Sequence, residues 1–155
     1  MGYTILDIMN KLLDIEKNGR DFYLNLAARQ PEDIKLATVA RILSKEEERH
    51  ILLYSNMLNS EQSEASQEIS FDVYDRAVKL LNDFIRVNKS PETKDAKDLI
   101  LWALAFEKEN LALVLSIRGL LVRSTEDSES YPYRILSEVI QEEEKHINNL
   151  EQFVR

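Results

Sequence analysis

Residues 39–54 read Val-Ala-Arg-Ile-Leu-Ser-Lys-Glu-Glu-Glu-Arg-His-Ile-Leu-Leu-Tyr, and residues 139–150 read Val-Ile-Gln-Glu-Glu-Glu-Lys-His-Ile-Asn-Asn-Leu. Each stretch repeats apolar side chains every three to four residues, the period of one buried helix face. On that same face each also carries Glu and His three residues apart: Glu47 and His50 among Val39, Leu43 and Tyr54, and Glu143 and His146 among Val139 and Leu150. The chain has only two histidines, and both follow a glutamate at this spacing. Two buried faces with the same pair of ionisable groups predict paired helices around a shared polar centre.

Working outward, the first helix is predicted from Thr4, where Thr4 and Asp7 form a capping box, to about Ala28. Its stripe of Ile5, Met9, Leu12, Glu16, Gly19, Tyr23 and Leu26 puts Glu16 where periodicity calls for an apolar residue. Pro31 suits the first turn of the second helix, which runs to about Leu58. Residues 59–70, rich in Ser, Glu and Gln, read as a linker. Phe71 to Val87 is amphipathic, stops before Ser90-Pro91 and reads as an extra helix in a long crossover. A third long helix runs from about Thr93 to Val122, with Glu107 on its stripe between Ala103 and Leu111. After a polar loop from Ser124 to Ser130, Pro132 opens a fourth to about Val154. The expected fold is all-α, a four-helix bundle of two helical hairpins with a long crossover connection, forming one domain over residues 1–155.

Composition narrows the function. Three glycines, three prolines and a chain rich in Leu, Glu and Lys favour helices throughout. A net charge of −8 and the lack of a basic block argue against nucleic acid as a partner. Without cysteine there is no disulfide, thiolate zinc site or iron–sulfur cluster within these residues. The most apolar run, Leu99 to Phe106, is too short to span a bilayer, so the expectation is a soluble cytoplasmic protein with no membrane partner.

The polar residues on the stripes carry the chemistry. Folding the first hairpin near Gln30 brings Glu16 and Glu47 to within about 5 Å in height, and folding the second near Asp127 leaves Glu107 and Glu143 about 6 Å apart. Four carboxylates in a core are costly as bare charges, and no Lys or Arg lies on these stripes. Two divalent ions would balance them, and oxygen and imidazole donors suit iron or manganese. One Glu from each of two helices plus Glu-x-x-His from two others is the ligand recipe of di-iron carboxylate bundles. The candidate ligands are Glu16, Glu47, His50, Glu107, Glu143 and His146. Glu46, Glu48, Glu142 and Glu144 point off the stripe, towards solvent. Tyr23, on the Glu16 stripe, is a candidate hydrogen-bond donor to a ligand carboxylate, against the plainer reading of a core tyrosine. Tyr54 has the same two readings, and Trp102 reads as a packing or interface residue.

With Glu16-Lys17-Asn18-Gly19-Arg20-Asp21-Phe22-Tyr23, Glu47-x-x-His50, Glu107 and Glu143-x-x-His146 in view, the chain resembles the rubrerythrin branch of the ferritin-like superfamily over nearly its whole length. The resemblance implies two bound irons, with manganese or mixed occupancy as a variant, and reaction with hydrogen peroxide or dioxygen. It also implies a homodimer or higher homo-oligomer. Ferroxidase and iron-storage activity, hydroxylation of an organic substrate, and a non-enzymatic metal-binding interaction protein are the alternatives. Rubrerythrins typically carry a further Glu three residues after the third-helix ligand, where this chain has Asn110. They also append a cysteine-ligated iron that feeds in electrons; here an external electron donor protein would have to do so.

Overall fold

The computed structural model describes residues 2–60, 68–87, 92–122 and 125–154. Among these residues it is all-helical apart from one two-residue strand pair. In chain order the elements are β1 (Tyr3–Thr4), α1 (Ile5–Arg29), α2 (Ile34–Ser60), β2 (Glu68–Ile69), α3 (Phe71–Val87), α4 (Ala96–Leu120), a short 3-10 turn (Thr125–Glu129) and α5 (Tyr131–Gln152). The expected run at 61–67, the Ser90-Pro91 break and Ser124 lie outside the described residues.

The helix starts follow local chemistry. Thr4 caps α1 in both directions, its Oγ1 accepting from the Leu6 amide at 3.2 Å and its own amide donating to Asp7 at 2.8 Å. The second helix begins at Ile34, three residues beyond the proline that the sequence suggested as its first turn. The cause is Asp33, whose carboxylate accepts from the Leu36 amide at 3.1 Å and supplies the cap. Asp95 and Ser130 cap α4 and α5 in the same way.

Helix α1 packs chiefly along α2, and α4 along α5. The extra helix α3 lies against both α1 and α4. A feature the sequence did not disclose ties the crossover down: β1 and β2 pair antiparallel, with Tyr3 opposite Ile69, and Tyr3 stacks on Tyr74 of α3 at 3.8 Å.

The apolar core forms two clusters. One gathers Ile8, Leu12, Ile51, Leu58, Val114, Ile117 and Val139; the other gathers Leu26, Leu36, Ala40, Leu43, Leu99, Ala103 and Leu150. On each of α1, α2 and α4 the candidate ligands fall between the residues of one cluster and those of the other, forming a polar layer between them.

Candidate metal centre

All six candidate ligands are buried, none more than 3% exposed: Glu16 from α1, Glu47 and His50 from α2, Glu107 from α4, and Glu143 and His146 from α5. Their donor atoms gather into three groups, each with all its atoms within 4.8 Å of one another. One holds Glu16, His50 and Glu143; the second holds Glu107, Glu143 and His146; the third joins Glu47 to both histidines. The expected height mismatch in the second hairpin is therefore absorbed.

The details suit ions rather than direct pairing. His50 Nδ1 lies 3.7 Å from oxygens of Glu16 and Glu143, and His146 Nδ1 lies 3.7 Å from Glu107. These separations exceed a hydrogen bond, and match the roughly 3 to 4 Å spanned by two donors that share a first-row divalent ion. Glu47 Oε1, Glu143 Oε2, both oxygens of Glu107 and both nitrogens of each histidine lack a hydrogen-bond partner. Orphaned polar atoms are rare in native cores, so a cluster of them in one layer calls for a ligand. The residues present could hold metal.

Without metal, the charges are forced apart. Burial, reinforced by the charges of Glu16 and Glu107, pushes the carboxyls of Glu47 and Glu143 well above the usual range. Burial also pulls Glu16 upward, but neighbouring Glu47 and His50 outweigh it and hold the group at about 2. Burial lowers the His146 imidazole; at His50 the same effect is overcome by the adjacent Glu16 carboxylate, which raises it.

The flanking acids behave as surface groups. Glu48 pairs with Arg20 at 2.8 Å, Arg49 reaches Glu46 and Glu142 at 3.3 Å each, and Glu144 is exposed. The Arg49–Glu142 pair links α2 to α5 at the level of the site. Tyr23 is 1% exposed and packs against Phe22 and Trp102, close enough to feel the charges of Glu47 and Glu107. The hydrogen bond to a ligand carboxylate comes instead from Tyr54, whose hydroxyl donates to Glu143 Oε1 at 2.9 Å. Tyr54 also stacks on His50, with ring centroids 5.5 Å apart. Its place four residues beyond His50 on the same stripe was the available signal. Asn110, three residues beyond Glu107, is likewise buried, with its Oδ1 unpaired.

No family model, curated protein or solved structure matches the chain. Among the described residues, no helix is long and apolar enough to cross a membrane.

If Tyr54 holds Glu143 in its ligating orientation, Tyr54→Phe should weaken metal binding about tenfold or more, whereas Tyr23→Phe should leave it within about twofold. Anaerobic ferrous-ion titration of the two variants provides the comparison, and equal affinities would remove the role from Tyr54.

Proposed function

We propose that the chain is a ferritin-like four-helix bundle of the rubrerythrin kind that holds two iron ions and reduces hydrogen peroxide or dioxygen, with electrons from a separate donor protein. The observation that carries this reading is the sharing of Glu143 between two ligand groups, one with Glu16 and His50 and the other with Glu107 and His146. Two ions held by these groups would draw on that one carboxylate, and Glu47 would add a donor grouped with both histidines.

When bound, a pair of ferrous ions supplies the two electrons that such an oxidant requires. The chain's own residues do the rest. Glu16 and Glu107 would each serve one ligand group, Glu143 would serve both, Glu47 would join the two histidines, and the histidines would bind as neutral imidazoles. Four carboxylates balance two divalent charges, so the loaded layer is close to neutral within the core. The two apolar clusters keep bulk water from the ions, and Tyr54 fixes the angle of Glu143. Manganese would suit the same donors.

Anaerobic iron loading followed by rapid mixing with peroxide or dioxygen tests the proposal. The expected result is about two irons per chain, oxidised within the mixing experiment and re-reduced by an added donor. Stoichiometric iron that resists both oxidants would leave only a structural clamp, and no stoichiometric iron would end the reading altogether.

A further inference from the structure

Because the ligands are so deeply buried, a small molecule bound for them must pass through packed side chains. A cavity of about 80 Å³ lies between α1, α3 and α4. Phe22, Phe84, Trp102 and Phe106 wall it with rings in mutual contact, each centroid 5.1 to 5.3 Å from the next. Ile15 adds to this apolar wall, while Asn18 and Ile85, both exposed, form the outer rim.

Gly19 also lines this cavity. A Cβ at Gly19 would sit 3.6 Å from the carboxyl carbon of Glu47, so the backbone that lines the cavity at Gly19 is about a methyl group's width from that ligand. Glycine is a poor residue for a helix interior, and nothing else requires it here: its φ is not positive, and a methyl group would meet only ordinary contacts. What the glycine does provide is a gap.

The cavity opens to solvent at its rim while its inner wall is aromatic, a surface that takes up apolar guests such as xenon, and 80 Å³ has room for a molecule of two or three heavy atoms. Resting on the di-metal reading above, we infer that this cavity is the docking and entry site for dioxygen, which reaches the Glu47 carboxylate past Gly19. Hydrogen peroxide would have to shed its hydrogen bonds to water along an apolar wall, so the route favours the apolar oxidant.

Xenon serves as the probe, using the metal-free chain. Xenon pressure should shift the methyl resonances of Ile15 and Ile85 saturably, and Ile85→Trp, which fills the rim, should abolish the shift that remains readable, that of Ile15. No saturable shift, or one that survives in Ile85→Trp, overturns the docking site. In ferrous-loaded protein of unchanged iron content, Ile85→Trp should slow oxidation by dioxygen about tenfold; an unchanged rate overturns the entry role. Should that variant not fold, Gly19→Ala, whose methyl fits without a clash and narrows the gap beside Glu47, takes its place in the dioxygen measurement, while the wild-type xenon titration alone decides the docking site. If the wild-type chain binds no iron, the di-metal reading and the entry role fall, while the xenon result still decides the cavity.

Discussion

Replacing Glu143 with alanine should cut ferrous-ion binding from the expected two ions per chain to fewer than one, a larger loss than from Glu16 or Glu107. The reason is geometric. Glu143 belongs to the group with Glu16 and His50 and also to the group with Glu107 and His146, so its removal strips an oxygen from both groups. It also leaves the Tyr54 hydroxyl without its acceptor. Glu16→Ala and Glu107→Ala each belong to one of those groups, and each should leave one ion bound. Metal analysis after anaerobic dialysis separates the cases; two ions retained by Glu143→Ala would refute the shared carboxylate.

The second large effect is on stability. Ferrous ion at a thousand times its dissociation constant should contribute about 4 kcal/mol for each site. For a chain of this size that raises the melting temperature by about 10 °C per ion. The pH dependence should differ in sign between the two forms. In the metal-free chain, Glu47 and Glu143 have folded-state pKa values raised above 4.5 by burial and by neighbouring charge, so the folded state holds their protons more tightly than the unfolded state does. Their contribution is fully present below about 4.5 and is lost as pH rises through the folded values. His50, raised above 6.5 by Glu16 despite its burial, acts in the same direction, while His146, lowered by burial, opposes it. Glu16, held at about 2 against the pull of burial, keeps its contribution above 4.5 and loses it only in stronger acid. Between pH 8 and 5 the metal-free protein should therefore melt higher as pH falls, whereas the loaded protein should lose its metal-derived stability as protons compete for the ligands. Calorimetry at several pH values tests this, and a metal-free chain that melts higher at pH 8 than at pH 5 would contradict it.

Much of the site was legible because a charged residue on an apolar stripe is a local signal. Glu16, Glu47 and His50 interrupt patterns that can be read within one helix, and the same holds for Glu107, Glu143 and His146. The helix ends were legible where a cap stood alone, as at Thr4. They were less so near Pro31, where the proline's fixed backbone and the Asp33 side chain gave competing starts and the hydrogen bond decided. The β1–β2 pair was beyond reach, since two residues at each end of a long separation carry no periodicity. The choice between Tyr23 and Tyr54 as donor was equally hidden: both lie on ligand stripes, and which hydroxyl meets a carboxylate depends on how α2 and α5 rotate against each other.

The division of the apolar core into two clusters has a consequence for how such a chain can change over generations. Cohesion resides above and below the polar layer, so a substitution within the layer alters the chemistry while the packing on either side still brings the helices together. A scaffold arranged in this way can exchange, lose or regain a donor in that layer without first having to reinvent its architecture.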